Sequence, residues 1–397
     1  MADEIVDYPR APLDPADLAQ SLLPYGKSRM LPPAAYTDPA VFAWEQRHFF
    51  GGGWVCAAGP GQLTQPGDQL AGPLGGAGSV LLARAQDGVV RAFANTCRHR
   101  GHELLPCGSA ASRPAIVCPY HAWAYSLSGE LRAAAGFKGT AGFDAGQWGL
   151  AELPAAQWHG LVFVDGSGRG GPLSGALDSL SGLVSPYEPG RLVVHGRHEY
   201  EVAANWKIIN ENYHECYHCP VIHPELCRVS PPKSGENYDT AGPWLGGWLD
   251  LRDGMATMSL DGTGSGAPLR GLTGEGLRRV IYVGIFPNVL LSLHPDYVMT
   301  HRLVPLAADR TWVECSWAFA PESAVAADFD PGYAVDFWDI TNQQDWRACA
   351  SVQRGLSSPY AAAGPLSVDE DAVYRFVTLI ARGYLGQSAW HPTSPVR

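Results

Sequence analysis

No run of about 18 apolar residues occurs anywhere in this chain of 397 residues, so it offers no candidate for a membrane-spanning helix. No G-x-G-x-x-G following a strand is read in the sequence either, so no flavin or nicotinamide site is expected on the chain itself. Internal repeats and long low-complexity tracts are missing. The opening MADEIVDYPRAPLDP places acids and prolines where a secretion signal needs basic and then apolar residues, so a cytoplasmic location is expected. Charged residues make up only 17%, and acids outnumber bases to leave a formal net charge of −11. That balance disfavours nucleic acid as a partner. What is there is ordinary for a globular protein: 46% hydrophobic residues, enough for a core that needs no disulfide staples.

Nine cysteines, an odd number without a secretion signal, are expected to be reduced, and those at ligand spacing become metal candidates. Residues 1–40 are rich in Pro and Ala and read as an extended arm with one short helix. From 41 to 165 short β-type runs such as GSVLLAR, VVRAFA and GLVFVD alternate with Gly and Pro, which predicts a small antiparallel β domain. GSGRGG, Gly166 to Gly171, is the linker candidate. Residues 166–397 read differently. Asn205 is a candidate N-cap for a helix Trp206 to Tyr217, strands follow across 279–320, and helices are expected over Asp330 to Arg354 and Asp369 to Tyr384. The sum is an α+β chain of two domains. Asp253 to Glu275, Gly-rich and aperiodic, reads as a mobile loop and a candidate lid.

Two clusters carry chemistry. Cys97-Arg98-His99 and Cys118-Pro119-Tyr120-His121 set two thiolates and two imidazoles on a pair of loops. Such a set holds a structural zinc, or a [2Fe–2S] cluster with two Cys on one iron and two His on the other. Gly101 and Pro119 favour tight loop tips that leave imidazole edges outward, as an electron exit requires. Further on, His218 and His223 lie five apart, about 140° around an ideal helix, with Pro220 between them to break the ladder. Two imidazoles and a carboxylate make the facial triad of non-haem Fe(II) enzymes.

CRHRGHELLPCG and CPYHAWAYSLSGEL resemble the Rieske motif, and ENYHECYHCPVIHP resembles the iron-binding segment of Rieske non-haem iron oxygenase α subunits, of the branch acting on choline, carnitine and glycine betaine. The extra cysteines of cytochrome-complex Rieske proteins are replaced by His102 and Tyr120, which points to the oxygenase or ferredoxin type. The resemblance implies a Rieske domain followed by a helix-grip catalytic domain with a curved antiparallel sheet, on which the N-terminal arm packs. It implies Cys97, His99, Cys118 and His121 as cluster ligands, with His218, His223 and Asp345 holding a mononuclear Fe(II); Asp336, Asp339 and Glu314 are weaker third ligands. Glu215, in place of the Asp of most ring hydroxylases, is implied as an electron bridge to a neighbouring subunit, with Asn212 orienting the bridge or a ligand. A homotrimer, a separate flavin and iron–sulfur reductase drawing on NAD(P)H, and O₂ complete the implied system. A Rieske electron carrier without oxygenase activity is the alternative of another class.

Thirteen Trp and sixteen Tyr suit a quaternary ammonium, whose charge makes no hydrogen bond and is held by aromatic faces. Trp244, Trp248, Tyr282, Phe286 and His301 are the candidate pocket residues, equally able to line an apolar pocket for an aromatic substrate. Arg270, Arg278, Arg279 and Arg302 are candidates to clamp a carboxylate. Cys216 and Cys219, interleaved with the ligands, read as packing residues. Cys56, Cys227, Cys315 and Cys349 read as buried thiols, and Cys107 as a structural one.

Overall fold

The computed structural model describes residues 8–390; residues 1–7, part of the stretch in which no secretion signal was read, lie outside them. The chain forms two compact units: Gln46–Leu173, and a second assembled from the residues up to Glu45 with those from Ser174 onward.

In the first unit a five-stranded antiparallel sheet runs in the order Ala110–Ser112, Asp68–Pro73, Ser79–Arg84, Val90–Ala94, Glu152–Leu153. A three-stranded sheet pairs Trp54–Ala58 and Ala155–Trp158 with Leu161–Asp165 between them, and a small sheet joins Ile116–Val117, Ala124–Tyr125 and Leu131–Ala133. The core under the small sheet holds Leu81, Phe93, Ile116, Trp123 and Tyr125 together with Cys97 and Cys118. The stretch Gly166–Gly171 does spell G-x-G-x-x-G after a strand. That strand is antiparallel to both neighbours, however, and the Asp165 carboxylate accepts from the backbone N–H of Ser167 (2.9 Å) and Gly170 (2.6 Å). The loop closes on its own carboxylate, and no crossover helix follows to hold a dinucleotide.

The second unit is built on one six-stranded antiparallel sheet. Its strands are β1 (Val193–Val202), β2 (Trp244–Asp250), β3 (Arg279–Ile285), β4 (Val289–Leu293), β5 (Tyr297–Ala307) and β6 (Arg310–Phe319), in the order β1-β6-β5-β4-β3-β2. Residues 297–303 and 313–319 are buried on both faces, and the polar side chains among them are paired inside, as Arg302 is with Glu314 (3.4 Å). β2 escaped the sequence reading because Gly246 and Gly247 interrupt its apolar pattern. Two helices flank the site. Gly332–Leu356 buries Ala334, Phe337, Trp338 and Thr341, at three- and four-residue intervals, and Cys349 two turns further on. Asp371–Tyr384 buries Val373, Phe376, Val377, Ile380 and Tyr384 along one stripe.

Two expectations need correction here. The N-terminal segment is no extended arm with one helix: it holds the helices Pro15–Ser21, Ala34–Thr37 and Pro39–His48. It is bound into the second unit by Met30 N–H to Gly364 O (2.9 Å) and Tyr36 O–H to Glu211 (2.7 Å). Asp253 to Glu275 is not a free lid. Thr257, Met258 and Ser259 are buried, Thr257 donates to Asp296 (2.5 Å), and Leu269 N–H donates to Pro295 O (2.8 Å). Glycine removed the periodicity, but scattered apolar residues still anchor the loop.

Candidate functional site

The first set of candidate ligands sits on two loops of the same design. Cys97 N–H donates to His102 O (2.8 Å) while Cys97 O accepts from Gly101 (2.9 Å); Cys118 N–H donates to Trp123 O (2.8 Å) while Cys118 O accepts from Ala122 (3.1 Å). The fourth residue after each cysteine has positive φ, 72° at Gly101 and 56° at Ala122, so both chains turn back at the same point. Both thiols are buried; the imidazoles of His99 and His121 lie edge to face at 4.7 Å, half-buried. His99 stacks on Trp123 (5.0 Å), and its Nδ1 is buried without a hydrogen-bond partner among the described residues. Such an orphaned nitrogen fits a metal ligand. Tyr125, unnoticed in the sequence, contacts Cys97 Sγ through its hydroxyl (3.3 Å) and accepts from Arg98 N–H (3.1 Å).

The second centre is in the other unit. Asn205 caps its helix as expected, accepting from Lys207 N–H (3.0 Å). The helix is shorter than predicted, ending at Tyr213, and Pro220 does not break a helix but opens the short turn Cys219–Ile222. A helix Pro224–Val229 follows directly. His218 and His223 therefore bracket one turn, their rings 5.0 Å apart. Asp345 comes from the long helix, its Oδ1 2.9 Å from His223 Nε2 and 3.5 Å from His218 Nε2. One donor atom from each of the three lies within 4.8 Å of the others. That spacing and the two-nitrogen, one-oxygen set fit a divalent iron with open positions. The other ring nitrogens are held from behind: His218 Nδ1 by the Glu215 carboxylate, His223 Nδ1 by Gln344 Oε1 (2.6 Å). Asn212 stands in the cavity wall, both Nδ1 atoms being taken by other residues. His214 is not a ligand candidate. Burial lowers its imidazole to about 4, its Nδ1 lies 2.6 Å from Asn210 O, and its ring stacks on Phe376.

The alternative third ligands are elsewhere. Glu314 is buried between Arg197 (2.7 Å) and Arg302 (3.4 Å), Asp339 accepts from Tyr200 O–H (2.6 Å), and Asp336 is exposed. Cys216 and Cys219 are joined in a disulfide, which overturns their reading as reduced packing residues; the turn between them brings their Cα atoms to 4.9 Å. Cys107 is exposed and Cys227 half-buried, whereas Cys56, Cys315 and Cys349 are buried.

A cavity of about 830 Å³ opens over the triad. Trp248 and Tyr282 line it; Trp244, Phe286 and His301 do not. Trp244 is buried with its indole N–H on Ser179 (3.0 Å), Phe286 packs on Trp206, and His301 is tied to Asn342 (3.1 Å), its imidazole lowered to about 4 by burial. Tyr213, Trp338 and Thr341 line the cavity too. The last two were legible in principle, lying seven and four residues before Asp345 on one helical face. None of the four arginines lines the cavity. Arg270 pairs with Glu322, Arg278 with Asp253, Arg302 with Glu314, and Arg279 with Glu275 and Asp250, its guanidinium 3.7 Å above Trp248.

Known proteins match the regions that carry both donor sets. The Rieske [2Fe-2S] domain description matches residues 53–144, and that of the ring hydroxylating alpha subunit (catalytic domain) matches 189–386. The carnitine monooxygenase oxygenase subunit of Escherichia coli (strain K12) is 35% identical over 89% of this chain and 93% of its own. The glycine betaine monooxygenase oxygenase subunit of Chromohalobacter salexigens is 29% identical over 85% of this chain and 81% of its own. A solved quaternary ammonium Rieske monooxygenase, described in terms of carnitine oxidation by gut microbiota and inter-subunit electron transfer, superposes with a TM-score of 0.77 at 24% identity, covering 96% of this chain and 100% of that one. With both domains matched and a relative of that identity over nearly its whole length, the chain belongs to the Rieske-type ring-hydroxylating oxygenase α subunits, enzymes with a [2Fe–2S] cluster and a mononuclear iron.

Proposed function

We propose that this chain is the terminal oxygenase that hydroxylates or N-demethylates a small quaternary ammonium or betaine-like compound, taking electrons from a separate NAD(P)H-dependent reductase. The observation that carries this reading is the placement of His218, His223 and Asp345 beside a cavity walled by Tyr213, Trp248, Tyr282 and Trp338. Aromatic faces attract a cation that offers no proton to a hydrogen bond, and the carboxylates of Glu236, Asp369 and Asp371 add negative potential along the same lining. The names of the relatives favour this over ring hydroxylation of an aromatic compound, and the triad favours an oxygenase over a pure electron carrier.

Bound iron would supply dioxygen activation, and the chain's own residues set the conditions for it. Cys97, His99, Cys118 and His121 would hold the cluster. Glu215 accepts from the backbone N–H of His218 (3.1 Å) while its other oxygen meets His218 Nδ1, which fixes the ring with Nε2 toward Asp345. On this reading the same carboxylate would link the ligand to an electron donor in a neighbouring subunit of a homotrimer. Purified holoenzyme with a surrogate reductase tests the reading. Oxygen uptake should depend on a betaine, carnitine or choline, and uptake with aromatic acids alone would overturn it.

A further inference from the structure

Resting on that reading, the cavity has to handle both ends of a zwitterion. The aromatic faces suit the ammonium end. The carboxylate end needs a cation, and Arg270, Arg278, Arg279 and Arg302 are paired with carboxylates outside the lining. Among the described lining residues the cationic side chain is Lys233. It lies in the segment before β2, with its ammonium 2.8 Å from Asp369 Oδ2 on the loop leading into the last helix. Both residues line the cavity, and the lysine side chain is 77% exposed.

We infer that Lys233 is the specificity-determining residue for the substrate's carboxylate, and that Asp369 is its resting counter-ion, displaced when a zwitterion binds. An exposed ion pair is weak and readily exchanges one carboxylate for another. The frame around it is firmer. Asn237 Nδ2 donates to Asp371 (2.6 Å), and the loop is closed by Ser367 N–H to Glu370 (2.6 Å), so the exchange needs only the two side chains to move. A cationic alcohol such as choline makes no demand on Lys233. The lysine therefore separates betaine-like from choline-like substrates without touching the reacting carbon.

The readout is the ratio of KM for glycine betaine or carnitine to KM for choline, measured in the holoenzyme with a surrogate reductase. Lys233→Met should raise this ratio about two- to five-fold, the worth of one exposed charge pair, with the corresponding kcat ratio unmoved. Asp369→Asn, which removes the competitor, should lower it. Ratios that stay flat, or move the same way in both variants, overturn the role of Lys233 while leaving the ammonium reading intact. A parent enzyme that consumes oxygen with none of the three compounds overturns the reading itself, and the role of Lys233 with it.

Discussion

Gln344 shows what a single side chain adds that no motif announces. It precedes Asp345 in sequence, yet its amide oxygen holds His223 Nδ1 while the carboxylate of its neighbour takes Nε2. Gln344→Ala should weaken ferrous binding by about ten- to a hundred-fold, measured by chelator competition, with the cluster absorption unchanged. Unaltered affinity would make Gln344 a bystander. Glu211 is the other instructive residue. Burial pushes its carboxyl up to about 8, opposed by the Tyr36 hydrogen bond and the Lys207 charge and reinforced by Glu370. The folded state thus holds a proton that the unfolded chain releases near 4.5. Stability falls as pH rises through that window and levels off above about 8. Glu211→Gln should gain on the parent in urea midpoint between pH 5 and pH 8.5; an equal gap at both would contradict this. At this scale the sequence was most legible where chemistry restricts residue type, as at Cys97 and His218. It was least legible for the aromatics, because Trp244 and Phe286 look no different from Trp248 until their neighbours are known.

Elements were legible in proportion to their periodicity. β3 to β6 and the two long helices were placed to within a few residues, since strands buried on both faces and apolar stripes leave strong patterns. The iron-binding segment was harder. Proline suggested a break in one helix, whereas the chain leaves the helix at Tyr213 and re-forms short turns that begin with proline. The start of that helix is firmly specified. Asn205 accepts from Lys207 N–H, and its amide donates to Ala308 O (2.7 Å) and Tyr36 O (3.1 Å). Asn205→Ala should cost about 1–2 kcal/mol in denaturant unfolding, through the lost cap and the stranded carbonyls. A loss within about 0.5 kcal/mol would show that the cap is dispensable.

For the molecule as a whole, the chemistry is divided between two units that the chain builds unequally. One is a continuous insert, Gln46–Leu173, and the other is drawn from both sides of it. Composition alone could not show this, because a Pro- and Ala-rich beginning looks the same whether it hangs free or packs as helices. Each unit carries a separate donor set, and a different family description matches the region of each. The central claim is that the two sets hold different iron, a cluster pair and a single ferrous ion. Mössbauer spectroscopy on anaerobically reconstituted ⁵⁷Fe protein measures this directly. The account predicts a cluster doublet pair plus a high-spin ferrous component, with Asp345→Ala losing only the latter. A single iron environment, or a ferrous component that survives in the variant undiminished, would contradict it.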